Sequence, residues 1–296
     1  MTQKHSKTHM EKYKKVIQKT YGYEEYMDFL IIPSLTLKST LSYSPLMNYT
    51  DCYSDEIQRL KELAGDKNYL IRALNPAQTS FEEGEPVTMR VAIESNETEA
   101  LMLLSNRKCR NRIRKSQKEF NYTLKDGKER IEDFYKIMGQ TYHRHGTPLM
   151  PKELFYNLQD EFEDKMMFFV VYDENNAPAA AICACVDGTL ACCPWGGISE
   201  SHTKKLAGNF LYFEVLKTVT QRFDVDVFDF GRSPYGGATY QFKKHFGAKP
   251  VKIELIKPSV DDIYSKYELA STIWKKLPRF IVDRVGPKLA KYLVDL

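Results

Sequence analysis

Apolar positions along this chain repeat in two rhythms. Residues 166–172 (MMFFVVY) are apolar throughout, while residues 87–93 (VTMRVAI) alternate with polar side chains. Both rhythms predict strands, the first buried on two faces and the second on one. Stretches 26–33, 69–73, 120–124, 179–186, 189–194, 225–230 and 251–256 read the same way. A helical period replaces the strand period elsewhere. It predicts a short helix in the polar lead-in of the first 20 residues, and helices over 55–64, 128–142, 151–162, 204–222 and 239–246. One longer helix starts at a cap and an acidic first turn beginning at Ser95. It carries Ala100, Leu101, Leu103 and Leu104 on one side and runs on through SNRKCRNRIRK. After residue 261 the apolar spacing is again helical, with Trp274, Phe280 and Val285 among its members. Pro278 and Pro287 should split that tail into short helices.

The second half reads β-β-β-α-β-α-β. Hairpin turns at 173–176 and at Asp187-Gly188 sit beside one β-α-β crossover. That mixture predicts an α+β (mixed α/β) architecture and not a doubly wound sheet. No fixed internal repeat and no low-complexity segment interrupts it.

Composition changes this picture little. The 296 residues are 43% hydrophobic and 12% aromatic, enough to bury a real core. No apolar run reaches the length of a membrane span, and the polar, basic first 19 residues do not read as a secretory signal. The net charge of +4 is too small to argue for DNA binding. The cysteines are Cys52, Cys109, Cys183, Cys185, Cys192 and Cys193, and four of them crowd into two strand-like runs. Spacings of C-x-C and C-C are not those of a zinc site, so no metal is expected and the thiols read as buried and free.

Four stretches could carry chemistry. Residues 105–118 hold seven Lys or Arg and no acid, a candidate phosphate platform in which Arg110, Arg112 and Arg114 lead, or else a solvated helix face. Residues 228–247 run from a strand through Gly231, Arg232, Gly236 and Gly237 into a helix bearing Tyr240, Lys243 and Lys244. The glycines permit close backbone approach, and Arg232 offers a bidentate fork for phosphate or carboxylate. The DFG triplet there is not a kinase mark, since no HRD-type loop and no glycine-rich nucleotide loop accompany it. His145, in an HRHGTP run, is a candidate base or a helix-end cap. Residues 204–209 (KKLAGN) open a helix in the manner of a pyrophosphate-binding N-terminus. No Ser-His-Asp, HExxH or Walker-type motif stands in the sequence.

Three of these stretches together resemble the FemAB family, the peptidoglycan-bridge aminoacyltransferases built from acyltransferase domains of the GNAT fold. The segment 107–115 (RKCRNRIRK) is similar to that family's RKxRxxIRK, and 144–148 (RHGTP) to its GTP turn. The run FDFGRS (228–233) with FKKHFGAKP (242–250) is similar to FDFGRS…FKxxWGA.P. The tail resembles the subgroup associated with exosortase and exopolysaccharide systems. The resemblance implies two GNAT-like halves around a cleft, divided here as 1–124 and 125–257, with a helical amphipathic tail over 258–296. It implies transfer of an aminoacyl group, from aminoacyl-tRNA, to an amine of a peptide or cell-envelope precursor.

Lys243 and Asp229 would be catalytic, the lysine facing phosphate or developing charge. Arg232, Lys244, Tyr240, Gly236, Gly237, Arg110, Arg112, Arg114 and His145 would bind substrate or phosphate. Two departures leave the donor open. No coiled-coil arm appears, and the acetyl-CoA signature is reduced to Lys205-Leu-Ala-Gly-Asn-Phe. The alternatives are therefore an acyl-CoA-dependent N-acyltransferase acting on an amino sugar or lipid-linked glycan, and a non-catalytic binding module of the same fold. No bound cofactor is expected, only aminoacyl-tRNA or acyl-CoA as co-substrate. The expected partners are tRNA, an anionic or phosphate-bearing acceptor and, through the tail, a membrane surface. That places the chain in the cytoplasm, at the inner membrane surface.

Overall fold

A computed structural model describes residues 4–33, 39–50, 54–258 and 263–293; Cys52 lies outside them. In chain order the elements begin with α1 (Lys7–Tyr21), β1 (Glu25–Tyr26), β2 (Phe29–Ile32) and β3 (Thr40–Tyr43). They continue with α2 (Ser54–Ala64), β4 (Tyr69–Asn75), β5 (Pro86–Ala92), α3 (Thr98–Leu104), α4 (Arg107–Glu119) and β6 (Thr123–Asp126). Next are α5 (Ile131–His145), α6 (Lys152–Phe162), β7 (Met166–Tyr172), β8 (Pro178–Asp187), β9 (Leu190–Ile198) and α7 (Glu200–Thr203). The chain closes with α8 (Ala207–Arg222), β10 (Val227–Pro234), α9 (Ala238–Lys244), β11 (Lys249–Ile256), α10 (Ile263–Lys276) and α11 (Arg279–Ala290). The architecture is mixed α/β with a helical C-terminus.

Two compact units form, and both are discontinuous. The first comprises residues 1–6, 75–138 and 162–253; the second comprises 7–74, 139–161 and 254–296. These do not coincide with the sequential divisions 1–124, 125–257 and 258–296. The reason lies in strand pairing. In the first unit the order is β11-β5-β10-β9-β8-β7-β6, so β5 from the first third of the chain lies between two strands from the last third. β10 and β11 both run antiparallel to β5. Its core packs Val87, Met89 and Val91 of β5 with Phe169, Ile182, Leu211, Val215 and Phe228. In the second unit β1-β2-β3-β4 form a small sheet, with Phe29, Leu41, Leu60 and Ile71 at its core. The lead-in helix is longer than expected, at 15 residues, and buries Met10, Tyr13, Val16 and Ile17.

Several boundaries differ from the sequence reading, each for a local reason. The long basic helix breaks in two, because Ser105 and Asn106 are extended and the Asn106 side chain accepts from the Cys109 backbone N–H as a new cap. The expected helix over 204–222 begins only at Ala207, after Leu206 takes a left-handed conformation (φ 62°). β9 runs through Pro194 to Ile198, tolerating the proline where a bulge shifts the β8–β9 register. β10 carries the FDFGRSP run as strand, not as a turn. Pro278 divides the tail as expected, but Pro287 sits inside α11. The five described cysteines are buried and free.

Candidate active site

β9 and β10 are parallel neighbours only briefly. Leu190–Ala191–Cys192 pair with Val227–Phe228–Asp229. Beyond those residues β9 stays with β8 to Ile198, and β10 stays with β5 to Pro234. The strands therefore cease to pair toward their C-terminal ends, the side of a sheet where ligands usually bind. α8 connects the two strands, so its first turn stands at the open end.

The wall on the β10 side is shaped by a bulge. Asp229 faces Arg90 and Arg232 faces Thr88, so Phe230 and Gly231 oppose Met89 alone. Gly231 makes this possible with φ 81°, a region that only glycine enters cheaply. The bulge turns the Gly231 N–H inward to Asp229 Oδ1 at 2.7 Å. The same carboxylate accepts from Thr88 Oγ1 at 2.5 Å and Arg90 Nε at 2.8 Å, and both charged side chains are fully buried. Asp229, expected to be catalytic, is thus committed to holding the bulge. A carboxylate with three donors around it in a dry interior is an anchor. Thr88 and Arg90 went unnoticed in the sequence. The signal was there: two polar residues on one face of an alternating strand.

The bulge also turns two carbonyls outward. Gly231 O and Arg232 O accept from Lys243 Nζ at 3.0 and 2.9 Å. Lys243 comes from α9 and is 6% exposed. An ammonium has three N–H groups, and these contacts use two. Burial lowers its pKa to about 8, against the opposing pull of Asp229, Cys193 and Cys192. Four rings fix α9 in place. Phe242 lies 5.2 Å from Tyr212 of α8 and 5.3 Å from Phe246, which lies 5.6 Å from Phe230 of β10. Gly208 completes the junction, since a Cβ there would meet Ile198 Cδ1 at 2.5 Å and Phe242 Cζ at 3.5 Å. The KKLAGN glycine therefore serves packing between α8, β9 and α9.

The other expected site residues divide by location. Arg232 and Lys244 are exposed beside Lys243, and Lys244 Nζ lies 5.8 Å from the Tyr240 ring. Tyr240 itself is buried against Tyr235 at 4.8 Å, with its phenol raised by burial and by Tyr235. Gly236 and Gly237 make the turn into α9, where Gly237 N donates to Pro234 O. A Cβ on Gly236 would touch the Glu83 side chain, so an acid borders that side of the turn. Arg110 is drawn back to the Ser105 carbonyl. Arg112, with Lys108 and Lys244, surrounds His245, whose pKa is lowered by burial and by these cations. Arg114 is exposed farther along α4. α4 is anchored at Cys109, Ile113 and Ser116. Cys109 Sγ accepts from Asn209 in the first turn of α8 at 3.8 Å. His145 belongs to the second unit, at the end of α5. There Gly146 (φ 78°) faces Ser271 of α10, and burial, Arg144 and Lys275 lower the His145 pKa.

One constellation was invisible in the sequence. His202 in α7 shares Nδ1 with Ser199 Oγ at 2.7 Å and Ser201 Oγ at 3.0 Å, while Nε2 meets Asp173 Oδ2 at 3.1 Å. Asp173 had read only as a turn residue. His202 is buried, and the arrangement ties the chain entering α8 to the β7–β8 hairpin. Ser199 and His202 are three apart, a capping spacing that hides in any helix start.

Residues 105–244 match the family model of the acetyltransferase (GNAT) domain, which spans the basic helix, the splayed strands and Lys243. The chain therefore carries a GNAT acyltransferase domain and is an acyltransferase by class. In fold it is FemAB-like. The crystal structure of FemX superposes with a TM-score of 0.58 at 14% identity, covering 82% of this chain and 86% of that one. L-PGS from Bacillus licheniformis gives 0.52 at 9% identity, covering 93% and 99%. No curated protein matches the chain in sequence.

Proposed function

We propose that the protein is a FemAB-type aminoacyltransferase, moving an aminoacyl group from aminoacyl-tRNA to an amine of a peptide or cell-envelope precursor. The observation that carries this reading is Lys243, a buried ammonium held by two bulge carbonyls at the open end of the splayed strands. The acceptor amine attacks the ester carbonyl and forms the C–N bond, the carbonyl oxygen becomes an oxyanion, and the C–O bond to the tRNA ribose breaks as one proton passes from the amine to the leaving ribose oxygen. The third N–H of Lys243 meets the oxyanion, which preorganised cations stabilise strongly in a dry site. The exposed Arg232 and Lys244 and the half-buried Arg112 lie around the same end of α9 and suit a phosphate-bearing donor or acceptor.

A second reading is an acyl-CoA-dependent N-acyltransferase acting on an amino sugar or lipid-linked glycan. The GNAT match favours it, as does the first turn of α8, whose cap position Leu206 offers no side-chain acceptor. Backbone N–H groups at such a turn suit a pyrophosphate.

Thermal shift separates the two. The full chain is heated with acetyl-CoA, a longer acyl-CoA, bulk charged tRNA or bulk uncharged tRNA, at low and physiological salt. Stabilisation by charged tRNA in excess of uncharged is expected. Stabilisation by a CoA ester that survives salt, with none from charged tRNA, would replace the first reading by the second.

A further inference from the structure

The site leaves the two closing helices without a task. Among the described residues five large apolar side chains are exposed, and three of them fall within thirteen residues of these helices: Ile273 at 54%, Phe280 at 74% and Val285 at 37%. The helices are nonetheless packed. Val282, Gly286 and Ala290 are buried on the inner face of α11, and Trp274 of α10 lies against Gly286. The exposed side chains are therefore the outer face of a docked element.

Charge on that outer face is one-sided. Phe280, Arg284 and Lys288 recur at intervals of four, a single stripe along α11, and Lys291 follows as its C-cap. At about 100° per residue, Val285 closes the same arc on the far side of Lys288. Lys275 and Lys276 end α10 just before it. Between residues 270 and 293 the only acid is Asp283, and Arg279 holds it at 3.1 Å.

Scattered exposed apolar residues are ordinary on any protein. A cationic stripe bracketed by exposed Phe and aliphatic side chains is the pattern of a helix that lies in a lipid interface. Nucleic acid would use the cations, but Ile273 and Val285 present no ring face on which a base could stack. We propose that α11, with the end of α10, docks on an anionic lipid surface. Phe280 and Val285 enter the acyl boundary, and Arg284, Lys288, Lys275 and Lys276 meet lipid phosphates. This inference stands on the tail alone and holds whichever acyl donor the site uses.

The test is co-sedimentation of the full chain with vesicles of phosphatidylcholine alone and of phosphatidylcholine mixed with phosphatidylglycerol, at low and physiological salt. Binding to the anionic vesicles only, weakened by salt, is expected. Phe280→Ser should weaken it about tenfold, as loss of one inserted aromatic ring does. The pair Arg284→Gln and Lys288→Gln should weaken it by about tenfold or more. Both variants should keep the parent melting temperature, because the altered side chains are exposed. No binding to anionic vesicles overturns the proposal, as does binding that Phe280→Ser leaves unchanged. Bulk tRNA captured by the charge stripe in the absence of vesicle binding would assign the face to nucleic acid instead.

Discussion

Lys243 and Asp229 are an ammonium and a carboxylate raised by one bulge, and they do different work. Asp229 is spent on Arg90, Thr88 and the Gly231 N–H, so it fixes the backbone. That backbone presents two carbonyls to Lys243, and these use two of the three N–H groups of its ammonium. Its pKa of about 8 gives the role a pH signature. Below about 8 the side chain is the cation that an oxyanion needs, and above it the charge is lost. The kcat profile should therefore carry a descending limb near pH 8, on top of any rise from deprotonation of the acceptor amine. Lys243→Ala should lower kcat by roughly 10² and abolish that limb, whereas a limb surviving in the variant would remove Lys243 from the chemistry. The shift has the opposite sign for stability. Between about 8 and the ordinary 10.5 the unfolded chain holds a proton that the folded one has released, so this group's contribution rises with pH across that window. At this scale the resemblance singled out Lys243, Arg232 and Asp229 as candidates, yet the sequence could not show which groups surround that carboxylate. Two of them, Thr88 and Arg90, lie about 140 residues away along the chain.

Among the elements, α4 and α9 show how a helix break positions a site. Periodicity alone predicted one helix from Ser95 to the basic run, because apolar and basic residues keep helical spacing across the break. The structure stops α3 at Leu104 and restarts at Arg107, with the Asn106 N–H donating to His245 O at 2.9 Å. The start of the basic helix is thereby pinned to the end of the lysine helix. Gly247 allows this approach. Its φ is 86°, and a Cβ there would sit 2.3 Å from the Leu104 carbonyl oxygen. Gly247→Ala should therefore destabilise the fold by about 2 kcal/mol or more in chemical denaturation, combining backbone strain with a backbone clash. A loss below about 0.5 kcal/mol, the range of an ordinary surface substitution, would show that the two helices are not locked there. Strand positions were more legible than helix ends. An apolar run announces β7 from local residues alone, whereas a cap such as Asn106 competes with many other polar residues in a basic stretch.

Across the whole molecule, the expected halves prove to be threaded through one another in sequence. β5 separates β10 from β11, so the stretch 125–257 lacks the strand that both of its last two strands pair with. Expressed alone, that stretch should show no cooperative thermal transition. A soluble fragment with a sharp transition would restore the sequential division. Sequence by itself determined the element types, the mixed α/β class, the buried thiols described here and the run of residues around Lys243. Each of these follows from local spacing, composition or motif. Only the tertiary structure decided which groups surround Asp229, where the strands part, why Gly208 and Gly247 are glycines, and that Asp173, His202 and two serines meet. Those outcomes depend on pairing between segments far apart in the chain, and pairing leaves no mark on either segment read alone.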